Sequence, residues 1–308
     1  MTSGQFRVSV IIPTYNRSKR LVNLLIALEK QTFQEFETIV IDDGSTDSTH
    51  SALDSRAFSL KSLRLFTQKN QGHAVARNQG VKEASGSLLI FFDSDVRPIS
   101  NCVRKHIDHH ENYSGTILTG LATLDSSIAQ KNDITKYRDY VEKVRWFRPP
   151  HGNKVQVDVE NYRFSTQNLS LSKETFYLLN GFDERLKDSV DFDLSVRALI
   201  KNIPIYYDYN AVVWHDDYVD FESYINRQLQ YEQARNKIGI LKPEYIKIIP
   251  DEFDTIKKGI FRDRIRRLFS YNKFWCYLIE SKVLEKLVPE QLRFILYDYI
   301  ISSSMEGK

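Results

Sequence analysis

The feature that most constrains this chain is an apolar run that ends on two carboxylates. Leu88-Leu89-Ile90-Phe91-Phe92 has the length of a buried strand, and Asp93-Ser94-Asp95 follows without a gap. A strand that is apolar at every position is covered on both faces, which calls for helices above and below a sheet. In open α/β sheets the ligand crevice lies outside the carboxyl ends of the strands, where these acids would sit. Two readings of the residues stay open. Asp and Ser form turns, so the stretch can be a strand and a polar turn. Two carboxylates around a one-residue gap also suit a hard divalent cation that shares phosphate oxygens.

The pattern recurs upstream. Val8 to Ile12 is apolar, and Pro13, which has no N–H for a ladder, is expected to end that strand. Thr14-Tyr15-Asn16-Arg17 turns into a helix with Leu21, Leu24, Leu25 and Leu28 at i, i+3, i+4, i+7 spacing. Phe36 to Ile41 is a second strand, ended by Asp42-Asp43 and the turn and capping residues Gly44-Ser45-Thr46-Asp47-Ser48. Leu63 to Thr67 reads as a strand and His73 to Ala84 as a helix. Strands alternating with helices imply parallel βαβ units, so the polar residues at the strand ends converge on one edge.

Further on, Pro98 to Asn112 reads as a helix and Thr116 to Leu124 as a strand. Asp133 to Phe147 is a polar, aromatic helix leading to a loop at Pro149-Pro150-His151-Gly152. Phe164 to Leu171 reads as a strand, followed by a helix capped by Ser172. Asp191 to Lys201 is a helix, and Pro204 to Trp214 is a strand ending at His215-Asp216-Asp217. From Phe221 the pattern is helical, punctuated by Pro243, Pro250 and Pro289. His106, His109 and His110 share a helix face; without a Cys or acid at matching spacing they read as solvated rather than metal-binding. Lys257, Lys258, Arg262, Arg264, Arg266 and Arg267 face Asp263 alone, with Ile260, Phe261, Ile265, Leu268 and Phe269 interleaved. That segment is either a packed helix with a solvated charged face or, through 257–269, a basic amphipathic helix on an anionic membrane.

Composition removes several classes. A net charge of +3 is too small to imply nucleic acid. Cys102 and Cys276 lie far apart, which argues against a disulfide framework or zinc site and for a reducing, cytoplasmic setting, at most peripheral to the inner membrane face. No stretch approaches the ~20 apolar residues of a membrane span, and Met1 to Gln5 carry no signal-peptide core.

Taken in order, these stretches resemble the family 2 glycosyltransferases. The matching pieces are Val8 to Arg17; Ile41-Asp42-Asp43-Gly44-Ser45-Thr46-Asp47; Gly72 with Ala76-Arg77-Asn78-Gln79-Gly80; and Phe92-Asp93-Ser94-Asp95. Asn168-Leu169-Ser170, Gly181-Phe182-Asp183-Glu184 and Asp191-Phe192-Asp193-Leu194 complete the set over residues 6 to 240. The resemblance implies an α/β fold of GT-A type: a Rossmann-like, mostly parallel sheet flanked by helices, with a C-terminal helical extension. It places a catalytic domain at 1–220, divided into a nucleotide-sugar half (1–97) and an acceptor half (98–220), before a helical region at 221–308. The implied activity is inverting transfer of a sugar from a nucleotide donor, foremost a UDP-sugar, with Mn²⁺ or Mg²⁺. The acceptor would be a saccharide, a lipid-linked glycan or a protein in bacterial-type polysaccharide, glycolipid or glycoprotein biosynthesis, and the C-terminal helices could pair two copies.

By the same resemblance, Pro13, Thr14, Tyr15 and Arg17 line the nucleotide, and Asp43 accepts from a pyrimidine N–H. Arg77 neutralises diphosphate or anchors the nucleotide loop. Asp93, flanked by Ser94, holds ribose or reaches the metal through water, Asp95 binds the metal, and His215 lies near it. Asp191 matches the base that takes the acceptor's proton, with Asp188 as a second candidate. Two departures stand out. The family commonly reads Glu-Asp where this chain has Val190-Asp191. The Gln-x-x-Arg-Trp motif of processive relatives is replaced by Arg227-Gln228-Leu229-Gln230-Tyr231, so transfer is expected to be non-processive. A nucleotidyltransferase would want a Gly-rich basic loop in place of Pro13-Thr14-Tyr15-Asn16, and a dehydrogenase Gly-x-Gly-x-x-Gly. A non-catalytic carbohydrate-binding module would need neither Asp95 nor Asp191.

Overall fold

The computed structural model describes residues 7–142, 154–157, 164–249, 269, 272–281 and 286–305. They group into two compact units, Met1–Asp125 with Pro149–Asp216, and Ser126–Arg148 with Asp217–Lys308. Elements are numbered along the chain.

The first unit is built on one nine-stranded sheet. β1 (Val8–Thr14), β2 (Phe36–Asp42), β3 (Leu63–Thr67) and β4 (Leu88–Phe92) pair in parallel in the order β3-β2-β1-β4. α1 (Ser18–Glu29), α2 (Thr49–Asp54) and α3 (His73–Glu83) occupy the connections. β1, β2 and β4 are buried at every position, as their apolar runs require. The leucines of α1 pack against this sheet in one core with Val10, Ile12, Val40 and Phe92. α3 comes close to β1 because Gly80 carries no side chain; a Cβ there would lie 2.4 Å from Ile11 Cγ2.

Pro13 does not end β1. It stays in the strand opposite Ile41. Thr14 O accepts from Asp43 N at 2.9 Å on the β2 side, so the backbone groups of Pro13 turn to the β4 side. Pairing with β4 stops at Ile11 opposite Phe91, so the missing N–H breaks no ladder bond.

The rest of the sheet is mixed. β8 (Asn168–Ser172) runs antiparallel to β4 and to β6 (Ile117–Leu124), and β9 (Ile205–His215) runs parallel to β6. β5 (Val96–Pro98) and β7 (Lys154–Gln156) each pair antiparallel with β9. Helices α4 (Cys102–Asn112), α7 (Lys173–Leu178) and α8 (Val190–Ile200) complete this unit. Ser172 caps α7 as expected, its side chain accepting from Thr175 N.

The histidines of α4 correct the expectation of a solvated face: His106 and His109 are fully buried. Asn168 donates through Nδ2 to Ala211 O at 2.7 Å, so its Oδ1 accepts from His106 Nε2 at 2.7 Å. His106 Nδ1 then accepts from Ser170 Oγ (2.7 Å), which accepts in turn from His110 Nε2 (2.8 Å). Thr116 Oγ1 donates to Tyr113 O, so it accepts from His109 Nε2 at 2.9 Å. Spacing along a helix marked a polar face; its partners lie on strands far away in sequence.

The second unit contains α5 (Ser126–Ala129), α6 (Asp133–Val141), α9 (Phe221–Leu241), α10 (Glu244–Ile248), α11 (Asn272–Ile279) and α12 (Glu290–Met305). Its core is aromatic, with Tyr137, Phe221, Phe269, Phe294 and Tyr297 buried together. Arg293 forks onto both oxygens of Asp133 at 2.7 and 2.8 Å, and Tyr137 donates to Asp298 at 2.5 Å. Of the basic segment 257–269, only Phe269 is described, and it is turned into this core; residues 257–268 lie outside the described residues, as does the loop at 149–152. No helix among the described residues is long and apolar enough to cross a membrane.

Candidate active site

The carboxyl ends of β1 and β2 carry two loops that brace each other. Asn16, at φ 51°, accepts through Oδ1 from Thr46 N (2.7 Å) and Asp47 N (3.2 Å), and Asp47 accepts from Ser18 N at 3.1 Å. Asp42 accepts from Ser45 N at 3.0 Å and meets His50 Nε2 at 2.6 Å, so the first acid of the pair shapes the turn. Gly44 at φ 78° closes it; a Cβ there would lie 2.9 Å from Asn70 N. Asp43 ties in the next loop, accepting from Gln68 Nε2 (2.7 Å), Gln71 N (2.9 Å) and Gly72 N (2.7 Å). These fill three of the about four acceptor positions of a carboxylate. Pro13 and Thr14 are buried and Tyr15 is exposed at the strand end.

Asp93, Ser94 and Asp95 follow β4 on this same edge, and arginines meet both acids. Arg77, on α3 and almost wholly buried, donates to Asp93 at 2.5 Å and lies over the Phe182 ring. Its Nε is buried without a hydrogen-bond partner. Arg17 donates to Asp95 Oδ2 at 2.9 Å, with Arg20 at 3.6 Å from the same atom. His215 Nε2 stands 3.5 Å from Asp95 Oδ1, brought there by the pairing of Val96 with His215 and by the bond from Asp216 N to Asp95 O. Burial opposes ionisation of Asp95, but His215 and Arg17 outweigh it and hold its carboxyl far below the usual carboxylate range.

Asp191 lies in the first turn of α8 behind Ser189, a non-glycine residue at φ 58°. It accepts from Phe192 N at 2.9 Å. Burial raises its pKa; Phe192 N and Arg77 oppose the rise and Asp93 adds to it. The same Arg77 and Asp93 charges thus act on Asp191. The Gly181–Glu184 turn is fixed to α3 by Asn78, which donates to Phe182 O (2.9 Å) and accepts from Phe182 N (3.0 Å).

A divalent cation is tested by the donors present. Among the described residues no group of three or more His, Cys, Asp or Glu side chains is placed to hold a metal. Asp95 and His215 nevertheless offer one ionised oxygen and one imidazole 3.5 Å apart, near the ~3 Å that separates neighbouring ligands of an octahedral Mg²⁺-type ion. Two protein donors fit an ion whose other positions come from phosphate and water.

Two further residues escape sequence reading. Arg97 forks onto Asp216 (2.6 and 2.8 Å) and reaches Asp125 at 2.9 Å, locking the short β5 to the end of β9 that carries His215. Arg20, 3.6 Å from Asp95 Oδ2, also meets the cluster; no motif flags it, since it reads as an ordinary helix residue.

A family model described as glycosyl transferase family 2 matches residues 9–173. The uncharacterized glycosyltransferase YfnE of Bacillus subtilis is 42% identical over 116 residues, 37% of this chain and 30% of that protein. The validoxylamine A glucosyltransferase of Streptomyces hygroscopicus subsp. jinggangensis is 30% identical over 226 residues, 64% of this chain and 52% of the relative. The chain therefore spans about half or less of these relatives. Among solved structures, the mannosyltransferase PcManGT from Pyrobaculum calidifontis aligns with a TM-score of 0.62 at 16% identity, covering 99% of this chain and 88% of that one. S. aureus TarS 1-349 aligns at 0.52 with 19% identity, covering 97% and 89%. At such identities the likeness speaks for the fold, which is that of GT-A glycosyltransferases, and the sequence match speaks for kinship. The chain belongs to glycosyl transferase family 2.

Proposed function

We propose that the protein moves a glycosyl group from a nucleotide sugar to an acceptor hydroxyl, inverting the anomeric carbon, in single non-processive transfers. The observation that carries this reading is the cluster at the carboxyl end of β4, where Arg77 meets Asp93 and where Arg17, Arg20 and His215 meet Asp95; burial meanwhile pushes the Asp191 carboxyl above the usual range while Asp95 is held below it. Opposed environments of this kind separate an electrostatic role from a proton-transfer role.

As the acceptor oxygen bonds to the anomeric carbon, its proton passes to the Asp191 carboxylate. The bond from that carbon to the diphosphate oxygen breaks on the opposite face, and its electron pair leaves with the nucleoside diphosphate. Asp191 must be ionised to accept the proton, and its raised pKa makes it the stronger base. Arg77 holds Asp93 in place, His215 and Arg17 keep Asp95 ionised, and Arg17 and Arg20 add positive charge where diphosphate would depart. Mn²⁺ or Mg²⁺ bound by Asp95, with His215 and Asp93 beside it, would act as a Lewis acid for the charge developing on the leaving group.

The donor assigned is a UDP-sugar. TarS structures are described in complex with UDP and with UDP-GlcNAc, and PcManGT in complex with GDP-Man and Mn²⁺, so a metal and a nucleotide sugar have precedent in this fold. The one acceptor position left on Asp43 suits a single ring N–H. The test is thermal melting against a panel of UDP-, GDP-, CDP- and TDP-linked sugars with Mn²⁺. A ligand at a hundred times its Kd stabilises the native state by about 2.7 kcal/mol. An unchanged melting temperature across the panel would sink the reading.

A further inference from the structure

We propose that a hollow between β3 and α3 binds a neutral saccharide, at a place apart from the donor site. The hollow has a volume of about 500 Å³, within the about 300–1,000 Å³ of small-molecule sites. Asp43, Asp93, Asp95 and Asp191 are not among its walls. The topology explains why it exists: α3 packs on β1 and β2, so the edge strand β3 lies beside the helix rather than beneath it, and a trough is left between them. One wall is a stripe of α3, with Val75, Gln79 and Lys82 at i, i+4, i+7 spacing. Ile41 is buried and Phe66 and Val75 are half-buried, whereas Lys82 and Glu184 are exposed. The apolar groups therefore form the base and the charges the rim.

The hydrogen bonds already made around the hollow define what is left for a ligand. Gln68 donates through Nε2 to Asp43 at 2.7 Å, and Gln79 donates through Nε2 to Glu83 at 2.8 Å, which leaves each amide its carbonyl oxygen. Glu184 accepts through Oε1 from Asn78 at 2.9 Å, which leaves Oε2. Opposite these three acceptors stands the Lys82 ammonium, which makes no ion pair among the described residues. One positive and one negative charge balance on the rim. A phosphate would be repelled by Glu184 and a cation by Lys82. An uncharged ligand rich in hydroxyls meets both, because each O–H gives a hydrogen bond to an acceptor and takes one from an ammonium. It also needs a C–H face for Phe66 and Val75, and a sugar ring has one. Gln68 ties the hollow to the Asp43 loop, since a hydroxyl on its Oε1 polarises the amide whose Nε2 holds Asp43.

The test is an amide NMR titration of the full chain with neutral sugars (methyl glucoside, methyl galactoside, methyl mannoside, N-acetylglucosamine, lactose and cellobiose), with glucose phosphate and uridine as comparisons. The expected result is saturable shifts from at least one neutral sugar, confined to the amides of Phe66 to Gln71 and Val75 to Lys82. Gln79→Ala and Lys82→Met, at positions open to solvent where the fold should tolerate them, should each weaken that binding about ten-fold, the scale of one lost hydrogen bond. Shifts from no sugar, shifts that map to other residues, an unchanged Kd in either variant, or tighter binding of glucose phosphate or uridine at the same amides would overturn the inference. The outcome does not depend on whether the donor site takes a nucleotide sugar, so the two readings fail separately.

Discussion

Acidification from pH 7 to pH 5 should remove about 4–6 kcal/mol of stability from the first unit, and the cause is the histidine cluster of α4. Burial pushes His106 down to about 4, and His109 and His110 down to about 3. The hydrogen bonds agree: with Asn168 and Thr116 oriented by backbone carbonyls, each ring carries its proton on Nε2 and stays neutral. Folded pKa values below the unfolded value near 6.5 mean that the unfolded chain binds the extra protons. Stability is therefore full above pH 6.5, falls as pH drops below it, and levels off only at the folded values. Each ring contributes about 1.4 kcal/mol per pH unit, or about 2 kcal/mol over this interval. Three rings give about 6, and the half-exposed His110 lowers the figure towards 4. That is a large part of the 5–15 kcal/mol typical of a domain. The assay is urea unfolding at pH 7, 6 and 5, with His109→Phe, stacked near Tyr113 and Tyr206, as a comparison expected to lose about a third of the slope. Stability that is flat over this range, or ring resonances of the folded protein that titrate near 6.5, would refute the reasoning.

Other expectations follow from single contacts. Gly80→Ala drives a Cβ into Ile11 and should cost about 1–3 kcal/mol by overpacking, read from urea midpoints. Asp43→Asn turns one acceptor oxygen into a donor facing the N–H groups of the Gln68–Gly72 loop; a loss of about 1–3 kcal/mol and faster amide exchange in that loop are expected. Arg97→Ala frees Asp216 and Asp125 and should weaken Mn²⁺ binding, read by relaxation of water protons, because His215 loses its fixed position beside Asp95.

The first half of the sheet was legible because its strands are apolar throughout and end on polar residues, and buried parallel strands look like that in sequence. The same signal failed at Pro13, where the rule on ladder bonds holds but the neighbouring strand had already ended. It failed differently on α4: a helical stripe of histidines reports that a face is polar, not that Ser170, Asn168 and Thr116 wait to cover it. Asp93 and Asp95 stood out at once, whereas the arginines that meet them did not. Arg17 and Arg77 could be named only through resemblance, and Arg20 and Arg97 not at all, since ion pairs form between elements that the chain keeps far apart. The grouping of Ser126–Arg148 with the C-terminal helices has the same origin, because α6 finds its aromatic partners on α9 and α12.

The central claim is a division of labour, with Asp95 serving the leaving group and Asp191 the nucleophile. The most direct measurement is donor Kd and transfer rate, side by side, in wild type, Asp95→Asn and Asp191→Asn with Mn²⁺ present. The account predicts a crossed result: Asp95→Asn loses donor binding, while Asp191→Asn binds donor like wild type and transfers about 10²–10⁴-fold more slowly. Transfer by Asp191→Asn at the wild-type rate, or full donor affinity in Asp95→Asn, would contradict it.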